Sequence, residues 1–262
     1  MSTQAGSRNP FKPNWLARIG WLILFAYCVY ALSALHISWD RFVAGLGNGA
    51  EFIGELFPPN FSRWKLLLEN LVETCEIAVI ASAFGILFSL PIGLSAARNL
   101  MPEWLTWPAR GLIAVCRSFH PVIFAILFVK AVGFGPLAGI LTLIFASIGF
   151  IGKLFAEAIE EISLKPVEAM RAAGSPFMSV LIFAVLPQVL NRFIGFATYQ
   201  FDSNLRNSTM VGIVGAGGIG GTLFAAFQRF DYDFLCTILL SIIALIMVSE
   251  YLASKIKEVF NG

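Results

Sequence analysis

The chain has 262 residues, of which 58% are hydrophobic and 13% charged, and a formal net charge of +2. Soluble domains carry about 25% charged and about 45–50% apolar residues, so a mean hydropathy of +0.79 excludes that class and defines a polytopic membrane protein. The small net charge, with no dense basic cluster, gives no basis for nucleic-acid binding.

The chain opens with Arg8, Lys12 and Arg18, and an apolar run extends from Ile19 to Leu35. A cleavable signal has a shorter apolar core, about 7–15 residues, and a small-residue cleavage site. Neither applies, so residues 15–35 are read as an uncleaved first span. Residues 36–70 are polar by the standards of this chain and are broken at Pro58-Pro59. Phe42, Phe52, Ile53, Leu56 and Phe57 lie among the charges there, as in an outer loop with an interfacial helix. Five further stretches approach the ~20 apolar residues a spanning helix needs: 71–95, 111–132, 136–155, 179–199 and 233–253. The expectation is an all-α bundle of about six transmembrane helices in one domain, 1–262. Within it, 1–70 supplies the first span and outer loop, and 71–262 the core.

Lys and Arg near the span ends set orientation. With the N-terminus inside, the inner segments hold Arg8 and Lys12, Arg98 and Arg110, Lys153, Lys165 and Arg171, then Lys255 and Lys257. The outer segments hold Arg41, Arg63 and Lys65, none at the turn 133–135, then Arg206 and Arg229. The bias puts both termini and residues 156–178 in the cytoplasm. Cys28, Cys75, Cys116 and Cys236 lie apart in apolar stretches with no CxxC pair, and read as small buried hydrophobes.

An ionisable group at bilayer depth costs roughly 2.5–3.5 kcal/mol on insertion scales and faces protein or water. Glu69, Glu73 and Glu76 share one helical face. Glu69 and Glu73 are read as an interfacial pair-forming face for Lys or Arg. Glu76 is deeper and a candidate for the substrate path. Arg117 and His120 share a face beside Pro121, which is expected to kink the third span. Two readings of Arg117 stay open. It lines a path for an oxyanion, or it is a counter-ion to Glu76 or a carbonyl. His120 is read as a packing residue.

Between the fourth and fifth spans lies a polar island. Pro166 suits a first helical turn, Glu168 and Arg171 suit the two ends of the helix dipole, and Gly174 suits the stop. Ala169, Ala172, Ala173 and Gly174 leave room for a partner to approach. Further on, Gly215, Gly217 and Gly220 form a G-x-G-x-x-G pattern, but among membrane spans and without an acid about 20 residues later it is no dinucleotide fingerprint. Dense glycine there permits either a flexible gate or close packing. Asp202 and Arg206 stand at i and i+4 and can pair. Asn204, Arg206, Asn207, Ser208 and Thr209 supply donors beside the glycine run. The chain has no G-x-x-x-x-G-K-[ST] motif, so ATP hydrolysis is expected elsewhere.

The island resembles the signature of ABC importer permeases: Glu-Ala-Ala, three residues, Gly, nine residues, Ile, one residue, Leu-Pro. Here it reads Glu168, Ala169, Met170, then Gly174, then Ala184, Val185, Leu186 and Pro187. The spacing is kept, and Met170 and Ala184 are the departures. The stretches 57–62, 127–136, 186–189 and 202–220 resemble the phosphonate-type permeases. That resemblance implies a type I importer permease fold and a non-catalytic transport subunit for phosphonate, phosphite or phosphate. It implies a bacterial inner-membrane location, a second permease copy, two ATPase subunits that bind ATP and Mg, and a substrate-binding protein. No cofactor is expected on this chain. Glu168, Ala169, Arg171, Ala173 and Gly174 are implied as the coupling helix. The expected path or gate residues are Glu76, Arg117, Asn204, Arg206, Ser208, Thr209, Gly215 and Gly217. The alternatives are a permease for an amino acid or another oxyanion, and an ATPase-independent transporter or channel. Two distant histidines argue against a membrane enzyme.

Overall fold

The computed structural model describes residues 15–35 and 38–261. Arg8, Lys12 and His36 lie outside them, as does the side chain of Lys257. The chain forms two compact units, Met1–Glu55 and Leu56–Gly262.

In the first unit, α1 (Trp15–Ala34) is apolar and long enough to cross a membrane. The second helix, α2 (Trp39–Glu55), places Trp39, Phe42, Val43, Leu46 and Ile53 on one face, with Asp40, Arg41 and Glu51 off it. Trp39 and Phe42 stack at 5.3 Å between ring centroids. A helix with such a face stands within 36–70, where the sequence reading places an outer loop with an interfacial helix.

Among its described residues the second unit forms helices joined by short turns, with no strand. In chain order it comprises α3 (Trp64–Ala96), α4 (Glu103–Ser118), α5 (Pro121–Val132), α6 (Pro136–Glu160), α7 (Lys165–Ala172), α8 (Phe177–Val180), α9 (Leu186–Ile213), α10 (Ile219–Gln228) and α11 (Tyr232–Asn261). A π-helical turn, Leu181–Val185, joins α8 to α9 without a break. Pro187 accounts for the widening: it has no N–H, and its ring crowds the carbonyl four residues back.

The third expected span differs from its sequence reading. It is two helices at 94° rather than one kinked helix, and α4 begins at Glu103 instead of residue 111. Phe119 (φ −121°, ψ 146°) and His120 (φ −65°, ψ 143°) are extended, as the residue before a proline prefers. His120 caps α5, its Nδ1 accepting from Val122 N at 3.4 Å. Among the described residues five helices, α1 included, are long and apolar enough to cross a membrane, and the bent pair counted as one span makes six.

At the centre α6 packs along α3 and also meets α4, α5 and α9. Small residues let the backbones approach: Gly85 of α3 faces Ser147, and Gly152 of α6 faces Ile113. Between α3, α6 and α9 lies a buried polar knot. Asn204 Nδ2 donates to Ser82 Oγ (2.9 Å) and Ser147 Oγ (3.0 Å). Gln200 Nε2 donates to Ser147 Oγ (3.0 Å) and Asn204 Oδ1 (2.8 Å). Ser147 Oγ in turn donates to Leu143 O at 2.7 Å. All four side chains are buried.

Substituting Asn204→Leu strips Ser82 of a donor and leaves a buried Gln200 proton unpaired. We expect a loss of about 1–3 kcal/mol, read as a lowered thermal unfolding midpoint of the detergent-purified protein.

Candidate functional site

The exposed helix α7 is held from below. Val167 is 1% exposed and sits in an apolar cluster with Phe155, Ile159, Val180, Val185 and Val189. The two departures from the family signature meet in this same cluster: Ala184 is part of it and Met170 packs against it. A larger residue at one position accompanies a smaller one at the other, which favours keeping the total volume.

The helix ends in a complete Schellman motif. Ser175 N donates to Met170 O (3.1 Å) and Gly174 N to Arg171 O (3.0 Å). Gly174 has φ +76°, a conformation that suits glycine. The approach to α7 is clamped by Gln188, whose Oε1 accepts from Ser163 N at 3.0 Å. Its Nε2 donates to Ala184 O (2.6 Å) and Ser163 O (3.3 Å), tying the loop to the widened turn.

Glu168, Ala169, Arg171, Ala172, Ala173 and Gly174 are all exposed, and neither Glu168 nor Arg171 forms an ion pair within the described residues. The knob therefore presents two free charges of opposite sign on a surface of small side chains. Its base is braced by a second hub. Glu160 accepts from Arg98 N (2.8 Å) and Arg110 Nη2 (2.5 Å), while Arg110 Nε donates to Ala96 O (2.9 Å). The ends of α3 and α6 are joined there to the middle of α4.

The structure scatters the expected path residues over four places. Asn204 is in the buried knot. Arg206 is exposed and paired to Asp202, which Ser249 of α11 also approaches at 3.5 Å. Ser208 is buried and donates to Leu205 O at 2.7 Å; Thr209 is also buried. Arg117 lies between α4 and α6 and forms neither an ion pair with Glu76 nor a hydrogen bond to a carbonyl among the described residues, so the counter-ion reading fails in both forms. Glu76 is exposed in a cleft with Leu68, Val72, Cys75, Val79 and Leu245. Glu69 and Glu73, expected to pair with Lys or Arg, form no ion pair among the described residues.

The glycine run divides between two helices and a turn. Gly212 of α9 and Gly220 of α10 touch, so a side chain on Gly220 would strike Thr209 O. Gly215 and Gly217 are in the turn. Phe134 covers Gly215, and Glu73 Oε1 and Pro136 border Gly217. Gly135 N donates to Gly215 O (3.0 Å), and Ile219 N to Thr74 Oγ1 (2.8 Å). The turn is thus bound to the start of α6 and, through Thr74, to the first third of α3. Sequence reasoning missed Gln188, Gln200, Ser147 and Glu160; a lone polar residue in an apolar stretch was the available signal for the middle two.

Fold and site together define a multi-helix membrane protein that shows a short, well-stopped helix to water. Residues 89–260 match the family of binding-protein-dependent transport system inner membrane components, and the chain belongs to that family. It is 41% identical over 218 residues to a phosphite transport system permease protein of Stutzerimonas stutzeri, covering 83% of this chain and 79% of that one. It is 38% identical over 253 residues to a phosphate-import permease protein of Mycolicibacterium smegmatis, covering 95% of this chain but only 47% of that longer relative. The fold is that of type I ABC importer permeases. The membrane chain of the methionine ABC transporter MetNI, in an inward-facing form, superposes with a TM-score of 0.67 at 23% identity, over 77% of this chain and 99% of that one.

Gly174→Val forces a branched side chain into left-handed backbone, at a cost of about 1–2 kcal/mol. Amide hydrogen exchange across 167–175 should accelerate by about ten-fold, with exchange in α6 unchanged.

Proposed function

We propose that this chain is the transmembrane subunit of an ATP-driven importer for a phosphorus oxyanion, in the class of phosphite, phosphate or phosphonate. The observation that carries the coupling role is α7: exposed, rigidly capped, and bearing two charges with no partner of their own. A soluble ATPase subunit with a complementary cleft supplies those partners, and binds the ATP and its magnesium. Glu168, Ala169, Arg171, Ala173 and Gly174 form the contact, and the α7 end of the bundle faces the cytoplasm. Both termini lie on that side.

The substrate class is supported by the names of the relatives. Those at 41% and 38% identity are named for phosphite and phosphate, whereas relatives named for D-methionine stand at 25% and 28%. Those lower matches support the second reading, an amino-acid permease. Two copies of the chain pair to form the path, and a binding protein delivers substrate from outside. Movement of the two α7 knobs toward each other rocks the bundles between inward- and outward-open arrangements. Arg206 is the exposed cation nearest the glycine run on α9 in this proposal, and Asp202 holds it in place until an anion competes for it. Asn204, Ser208 and Thr209 shape the helix behind it. Gly215 and Gly217 set the turn beside it.

Two measurements test these roles. Reversing Glu168→Lys and Arg171→Glu together should cut co-purification with the ATPase subunit and oxyanion uptake by about ten-fold; unchanged recovery of the ATPase sinks the coupling role. Arg206→Gln should lower uptake of phosphite or phosphate while ATPase co-purification persists. Wild-type uptake by that variant removes Arg206 from the path.

A further inference from the structure

The cleft between α4 and α6 has no part in the proposal above. It encloses about 310 Å³ and is lined by Arg110, Arg117, Lys153 and Glu157 over an apolar floor that includes Ile113 and Ala156. Three cations face one carboxylate, and they are not equivalent. Arg110 is committed to Glu160 and to Ala96 O. Lys153 lies 3.4 Å from Glu157, a loose pair on one helix face. Arg117 has no hydrogen bond or ion pair within the described residues, although its stem is fixed: its Cγ lies 2.9 Å from where a Cβ on Gly149 would stand.

Depth makes this arrangement informative. Gly149 is eleven residues before Glu160, about 16 Å along α6 at 1.5 Å per residue. An Arg at that depth normally finds a carboxylate, a carbonyl or water. Side chains on α4 lean toward its N-terminus, which directs the Arg117 guanidinium down the cleft toward Lys153 and Arg110. A guanidinium takes two oxygens of one tetrahedral anion side by side, and an ammonium takes a third as a point charge.

We propose that this cleft is a binding site for a phosphate-bearing anion, with Arg117 gripping two oxygens and Lys153 turning from Glu157 to a third. A free phosphate ion and an anionic phospholipid headgroup offer the same chemistry. The site does not rest on the transport reading, and loss of uptake alone says nothing about it.

The test uses the full-length protein, with any co-purifying ATPase, in two arms. In nanodiscs of phosphatidylcholine alone, binding of inorganic phosphate is measured by equilibrium dialysis. From mixed phosphatidylcholine and phosphatidylglycerol liposomes, the phosphatidylglycerol retained per chain is counted by native mass spectrometry. Saturable binding in the first arm assigns a free ion, and selective retention in the second assigns a headgroup. Either supports the site if Arg117→Gln weakens binding by about ten-fold and Arg117→Lys weakens it less. Lys153→Gln, at the cleft margin, should cost about three-fold and carries the test should the Arg117 variants not fold. Binding of neither probe by the wild type overturns the proposal, as does equal binding by both glutamine variants.

Discussion

The buried knot of Asn204, Gln200, Ser147 and Ser82 is the constraint on which the bundle depends. Apolar contacts between α3, α6 and α9 tolerate sliding, because lipid tails and leucine side chains are equally greasy. Amide and hydroxyl groups do not slide cheaply: a register error leaves polar atoms unpaired in a dry interior. Ser147 accepts from two amides of α9 and donates to its own helix, so it allows one axial setting of α9 against α6. That setting is carried to the α7 end by two helices at once. Through α6 it reaches Glu160, which binds Arg98 N and Arg110. Through α9 it reaches Gln188, which holds Ser163.

Much of this was readable beforehand, for a physical reason. Spans announce themselves because lipid demands some twenty apolar residues and a self-satisfied backbone. The stretches around 71–95, 136–155, 179–199 and 233–253 all lie within observed helices, which mostly run longer at their ends. The stop at Gly174 was readable because left-handed backbone selects glycine. Other features needed three dimensions. Pro121 announced a disturbance, but whether two extended residues would separate two helices depended on what α4 and α5 pack against. The glycine run left flexibility and close packing equally open. The contact of Gly212 with Gly220, and the burial of Gly218 against Thr74, show that much of it is packing.

Polar residues were the hardest to place. Asn204 and Arg206 are two positions apart and compositionally alike as hydrogen-bond donors, yet Asn204 is fully buried and Arg206 exposed. Helical phase separates them by roughly 200°, and only the packing of α9 decides which phase faces inward. Glu76 and Arg117 looked like possible mates because each was a lone charge in an apolar stretch. They belong to different clefts instead, so each charge must be answered locally.

The widened turn at Leu181–Val185 has a consequence for evolution and for engineering. Its extra residue advances everything after it by about 100° around the axis. The inward facing of Gln200 and Asn204 and the outward facing of Arg206 are therefore phased by a single inserted position at the foot of the helix. Deleting one residue there would regularise the spiral and spoil the match with α3 and α6, while changing neither composition nor hydropathy in any visible way. Sequence length between Gly174 and Pro187 thus behaves as a coded quantity, sensitive to frame independently of the side chains that fill it.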